Sequence, residues 1–342
     1  MRTERRNVLL ALIASGLLWG TTVPLTKVAL AGWGPAWLTV ARFGLAALPL
    51  LWLGRRHLRA AVSGPTLVWG AFGYGAVIVL QNAGIERTSV SHAALVIGTT
   101  PVLVALLTVA LGRARVGPLS WAGFAIALAG VAVVGAHGGG SAGLAGDALV
   151  FASLLLAAGF MVAQPAMLAG RDPIAVTGVQ LAAAAVATLP VAVLLDGVPA
   201  ALPSPASTAA MAGLAIGGTL VPFALFAWAQ ARISPEIAGA FLNLEPLVGV
   251  VLGVVAFHDP LGPAQLIGAT AILAGIALNA TALRVTSEPA RRRPAARPRP
   301  SLPAGTGSAR SARVRSAPVR HPVRVSDRPG RREAEPARPA PR

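Results

Sequence analysis

The chain has 342 residues, 55% of them hydrophobic and 12% charged, with a mean hydropathy of +0.68. That composition excludes the pair of soluble domains that length alone would suggest and places the chain among membrane proteins. The net charge of +17 is mostly a property of the C-terminal tail: from Arg284 onward there are 16 Arg against 4 acids, and the absence of cysteine excludes disulfides and thiolate metal sites.

Met1–Arg6 is short and basic, and an apolar run over 8–30 follows it. The pattern resembles a signal peptide, with Ala29-Leu30-Ala31 as a small-x-small site. The run is too long for one, is interrupted by Pro24 and Lys27, and precedes many similar runs, so it reads as an uncleaved first span. Further runs long enough for about 30 Å of hydrocarbon lie near 35–53, 66–84, 91–111 and 118–136. After the Gly-rich connector 137–145 come 146–168, 174–194, 207–229, 236–256 and 262–283. None alternates apolar and polar residues as barrel strands do, and a spanning segment must satisfy its own backbone, so all ten are expected as helices. The expected fold class is an all-α integral membrane protein with ten transmembrane helices.

Lys and Arg set the direction. With the N-terminus inside, the inner loops hold Arg55, Arg56, Arg59, Arg113, Arg115, Arg171 and Arg232, and the tail is inside as well. The outer loops hold Arg87 alone. Both termini are therefore expected in the cytoplasm, with the protein in the plasma membrane.

A shift of 145 residues pairs Gly73 with Gly218, Pro101 with Pro246, Gly117-Pro118 with Gly262-Pro263, Gly123 with Gly268, and Leu128-Ala129-Gly130 with Leu273-Ala274-Gly275. A shift of 138 pairs Pro35 with Pro173, Thr39 with Thr177 and Arg42 with Gln180. The chain thus divides into a cytoplasmic N-terminus (1–7), a first repeat (8–136), the outer connector (137–145), a second repeat (146–283) and the basic tail (284–342). Five spans per repeat is an odd number, so the second copy enters the membrane inverted. Inverted five-helix repeats are an architecture of secondary transporters, with the substrate site near the midplane between the halves. The tail is rich in Pro, Arg, Ala and Ser and reads as disordered. Its RRR at 291–293 suits anionic lipid headgroups, and without aromatic stacking groups it is not expected to bind nucleic acid.

Glu245 lies nine residues into its span, roughly 13 Å deep at about 1.5 Å per residue. A charge there costs about 2.5–3.5 kcal/mol and belongs in the bundle interior or a wet cavity. It can take a substrate amine or a proton, or serve as a structural ion pair. Arg42, about 10 Å deep on the same rise, can clamp a carboxylate with its bidentate fork. It can equally pair with Glu245 or with carbonyls at broken helix ends. Lys27 can snorkel to the interface. Trp19 and the helix-breaking Pro24, Pro101 and Pro246 are candidates for shaping a cavity, since proline frees a carbonyl. Asn243 and Thr100, the latter the repeat mate of Glu245, are candidate polar cavity groups. His92 and His258 are too scattered for a metal site, and the sequence calls for no cofactor.

The strings LLWGTTVPLTKVAL (with Trp19-Gly20, Pro24 and Lys27), ARFGLAALPLL, LNLEPLVGVVLG and PLGPAQLIGATAILAGIAL, in this order across ten spans, resemble the drug/metabolite transporter superfamily, EamA-type family. The resemblance implies an inverted pair of five-helix repeats around a central cavity and transport of small metabolites, often amino acids or related compounds and often outward. It draws Lys27 toward that cavity. Two departures are visible: His258-Asp259 stands where members often carry Gly-Glu, and Ala158-Gly159-Phe160 replaces an aromatic landmark. The expected function is export of a small metabolite by alternating access, with protons as a candidate coupling partner and a homodimer left open. An intramembrane enzyme lacks a catalytic constellation here, and no ATP-binding P-loop string occurs. The alternative reading is a non-transporting scaffold or receptor acting through the basic tail.

Overall fold

The computed structural model describes residues 2–112, 117–136, 140–199, 201–230, 241 and 244–287. The expected disordered tail (apart from residues 284–287), the loop arginines Arg113, Arg115 and Arg232, and Asn243 all lie outside these residues. The described chain is helical. Seven helices are long and apolar enough to cross a membrane: Arg6–Ala29, Pro35–Leu53, Gly64–Arg87, Val90–Ala110, Gly143–Leu168, Pro173–Leu195 and Pro205–Phe226. Shorter apolar helices cover Pro118–Val133, Leu244–Phe257 and Pro263–Gly275. The protein is a multi-pass membrane protein.

Helix ends follow local chemistry. Ser63, Ser89, Asp172 and Ser204 cap the helices that follow them, each accepting a first-turn backbone N–H. The sixth apolar run begins its helix at Gly140, inside the expected connector, because Ala and Leu there continue the helix with no proline to stop it. The last helix runs to Ser287, a few residues past the end of its apolar run.

Proline breaks the first and fourth crossings. The first helix stops at Gly20 and a new one starts at Thr22, where Pro24 has no N–H to carry the ladder on. The fourth is interrupted at Gly98-Thr99 and resumes at Thr100-Pro101. Pro49, Pro165 and Pro190 lie inside continuous helices.

Two π-helical turns interrupt the third and eighth apolar segments, at Ala71–Ala76 and Ile216–Leu220. They contain Gly73 and Gly218, mates at the shift of 145. A π turn takes an extra residue and opens the ladder, and such turns occur mostly at functional sites.

Helix pairs pack through small residues, as membrane helices do when backbones approach closely. Pro118–Ala136 lies along Pro263–Ser287, and the contact is reciprocal. A Cβ at Gly130 would stand 2.7 Å from the Gly268 oxygen, and one at Gly275 would stand 2.5 Å from the Gly123 oxygen. Pairing 123 with 275 and 130 with 268 makes the two helices antiparallel. The seam between Pro35–Leu53 and Pro173–Leu195 has the same property: Phe43, Ala46 and Ala47 pack on Leu181, Ala184 and Ala185, each the other's mate at the shift of 138.

Candidate functional site

Arg42 is buried, with 8% of its surface exposed, halfway along Pro35–Leu53. Its guanidinium reaches the second π turn: Nε donates to Thr219 Oγ1 at 3.0 Å, and Nη2 approaches the Gly218 oxygen at 3.4 Å. Thr219 Oγ1 donates to Leu214 O at 3.0 Å, bridging the widened turn from within. Gly218 makes room, since a Cβ there would lie 3.0 Å from the Thr22 methyl and 3.6 Å from Arg42 Nη2. The structure therefore ties Arg42 to an opened stretch of helix backbone. Among the described residues two of its five donors are in use there.

Glu245 is half-buried near the start of Leu244–Phe257. Its backbone oxygen lies against Gly20, where a Cβ would stand 3.0 Å away, so the end of the first helix rests on this turn. Arg42 and Glu245 lie within electrostatic reach of each other. No ion pair within 4.0 Å joins them among the described residues, where the close pairs are Arg87–Glu86 and His92–Asp147. An acid and a base, each costly in hydrocarbon, thus stand near one another without closing.

The remaining expected site residues divide. Trp19, beside Gly20, packs edge-on against Phe223 and Phe226 at centroid distances of 5.4 and 5.2 Å. The helix carrying Glu245 meets the break in the fourth crossing, with Pro246 against Gly98. Thr100 spends its hydroxyl on Ile97 O at 2.6 Å. Lys27 is held by backbone oxygens, and no ion pair joins it to Glu245 among the described residues. Its ammonium donates to the oxygens of Ile85, Glu86 and Thr88 at 2.8, 2.9 and 2.8 Å, stopping the helix that ends at Arg87. A cation there also offsets the negative end of the helix dipole.

Several polar groups escape the sequence reading. Thr219 and Gly218 hold Arg42, and the signal for them was the pairing of Gly73 with Gly218. His92, apparently an isolated histidine, is buried with Asp147: Nδ1 and Oδ2 are 3.0 Å apart, and Thr88 Oγ1 donates to the other carboxylate oxygen at 2.5 Å. Asp196 accepts from Ala36 N and Trp37 N at 2.8 and 2.9 Å, and Asp259 accepts from Ser91 N at 2.7 Å. No group of three or more metal-ligating side chains stands together among the described residues.

Comparison with known proteins bears on this arrangement. The chain is similar to a probable terminal-alkyne amino-acid exporter from Streptantibioticus cattleyicolor, 29% identical over 290 residues, covering 82% of this chain and 97% of that protein. It is similar to the uncharacterized inner membrane transporter YedA of Escherichia coli, 27% identical over 71% of this chain and 80% of the relative. The uncharacterized transporter YdeK of Bacillus subtilis is likewise 27% identical, over 72% and 87%. A solved crystal structure, 24% identical, matches with a TM-score of 0.60 over 82% of this chain and 99% of that one, which speaks for the fold alone. The model of the EamA-like transporter family matches twice, over residues 6–136 and again over 144–281. With both halves of the apolar region matched, the chain belongs to the EamA-like transporter family.

Proposed function

We propose that this protein is a secondary transporter of a small amino acid or related zwitterionic metabolite, working outward by alternating access. The observation that carries the reading is the open pair of Arg42 and Glu245: a fork for a carboxylate and an acid for an ammonium, in electrostatic reach but not bonded to each other. Closing them on a ligand would satisfy both charges at once, which water-poor surroundings reward. The amino-acid exporter among the relatives supports the choice of cargo and direction.

In this reading ten helices form two inverted five-helix repeats, and one rocks against the other around the site. The double family match, the paired π turns and the reciprocal seams at 130/268 and 275/123 support it. Both termini lie in the cytoplasm and the protein sits in the plasma membrane, as the arginine distribution argues. In the same reading Trp19, Thr100 and the breaks at Pro24, Pro101 and Pro246 would border the cargo cavity. Glu245 is the group available to a coupling proton.

Proteoliposomes loaded with a panel of amino acids and related metabolites test the proposal. Flux of at least one panel member, lost in Glu245→Gln, is the expected result. No flux for any member with a folded protein would count against transport of this class. Equal rate and equal pH dependence in Glu245→Gln would remove the proton.

A further inference from the structure

We propose that Asp259 is a positioning residue for transport, the releasable latch that shuts the cargo pathway at the end of the bundle carrying residues 88–92. The inference rests on the transport reading above. At that end two carboxylates of the second half cap helices of the first half. Asp196 accepts from two backbone groups, Ala36 N at 2.8 Å and Trp37 N at 2.9 Å, and Trp37 Nε1 adds a bond to Gly197 O at 2.7 Å. That tie joins Pro35–Leu53 to Pro173–Leu195, whose seam is closely packed along its length.

Asp259 makes a lighter tie. It accepts from Ser91 N at 2.7 Å. The preceding His258 has φ 56°, a left-handed conformation that residues with a Cβ adopt at a cost. Release of Asp259 would let that residue relax, whereas release of Asp196 would break two bonds and leave the Trp37–Gly197 bond in place. Lys27 stands within electrostatic reach of Asp259 while its own donors are held by Ile85, Glu86 and Thr88. Its charge draws the carboxylate back to the same place without binding it.

The latch is mechanically joined to the cargo site. Helix Leu244–Phe257 carries Glu245 at its beginning, and Asp259 follows its end. Along its contact with Val90–Ile97, Pro246 meets Gly98, Gly249 meets Ala94 and Gly253 meets Ser91. A stiff rod with a face of small residues transmits a movement at Glu245 to Asp259, about 20 Å away at about 1.5 Å per residue.

The chain has no cysteine, so single reporters are read without background. Ser91→Cys replaces a side chain that is 3% exposed, and Val90→Cys one that is 0% exposed. In full-length protein in detergent, the rate of modification by a water-soluble maleimide reports opening at this end. Asp259→Asn and Asp259→Ala should raise that rate by about tenfold, the effect of losing one charge-assisted hydrogen bond. Asp259→Glu should restore the parent rate. Asp196→Ala should lower the melting temperature and leave the reporter rate unchanged. Parent-like labelling in both Asp259 variants, or an equal rise in Asp196→Ala, overturns the proposal. Labelling is read with no cargo present, so its failure is separate from a failure to find flux in proteoliposomes.

Discussion

The two π turns stand at equivalent places in the two halves of the sequence and are filled in opposite ways. Ala71–Ala76 is closed by carbon: Gly73 faces the Phe160 ring, which lies 4.8 Å from Tyr74, and Tyr74 lies 5.7 Å from Phe43. Ile216–Leu220 is closed by a guanidinium, with Arg42 on Thr219 and Gly218. The opened backbone is common to both turns and the plug differs. An aromatic plug has nothing to exchange and makes a fixed seam. A guanidinium can exchange a protein acceptor for a carboxylate, so only the second turn can respond to an anionic ligand group.

The strongest way to break this comparison is to give the second turn the residue type found at Arg42's mate in the second half. Arg42→Gln copies Gln180, keeps an amide near Thr219 and removes the charge. Flux of a carried amino acid in proteoliposomes should fall about a hundredfold, as when one partner of a buried charged contact is lost. Phe160→Leu, at the aromatic plug, should retain most of the flux. Retained flux in Arg42→Gln would make the two turns equivalent.

Where the halves are symmetric, paired substitutions should cost the same. Gly130→Ala and Gly275→Ala each drive a Cβ into the backbone of the facing helix, at 2.7 and 2.5 Å from an oxygen. Backbone cannot step aside as a side chain can, so each should lose about 3 kcal/mol on unfolding in detergent. A difference between them as large as the loss itself would deny the reciprocal seam.

Where the plugs differ, the costs should separate. Gly73→Ala meets the rigid Phe160 ring, held by Tyr74 and Trp69, and should cost about 2 kcal/mol. Gly218→Ala meets the Thr22 methyl at 3.0 Å and the tip of Arg42 at 3.6 Å, both able to move, and should cost about 1 kcal/mol or less. The same unfolding assay reads both, and the reverse order would mean that the guanidinium plug is the stiffer one.

These differences explain what the sequence could and could not reveal. The apolar runs, the shifts of 145 and 138 and the depth of Arg42 and Glu245 are one-dimensional properties, and they led to the family and to the central charges. The π turns are not, because an inserted residue leaves no mark in a run that is apolar all round. The partners of Lys27 were hidden for a related reason: they are backbone oxygens of Ile85, Glu86 and Thr88, and carbonyls carry no residue signature. His92 looked solitary because Asp147 is 55 positions away, and Asp196 reaches Ala36 across 160. Asp259 reaches Ser91 N across 168 positions, and His258 takes a left-handed backbone, which only the backbone angle shows.

The smallest expected effect sharpens the comparison most finely, because it concerns the direct mate of Arg42. Gln180 is fully buried and exchanges two amide bonds with Gln164, at 2.8 and 3.0 Å. If Gln180 only holds Pro173–Leu195 to Gly140–Leu168, its chemistry is a closed pair with no role in cargo. Gln180→Leu alone strands the Gln164 amide and should cost about 2 kcal/mol, whereas Gln164→Leu with Gln180→Leu removes both partners and should stay within about 1 kcal/mol of the parent. Unfolding of the two singles and the double gives the coupling directly. The double variant should also keep parental flux, since neither amide meets Arg42 or Glu245 in any hydrogen bond among the described residues. A neutral double variant that lost flux would place cargo on both mates. It would turn the contrast between a charged plug and an inert amide pair into a shared site.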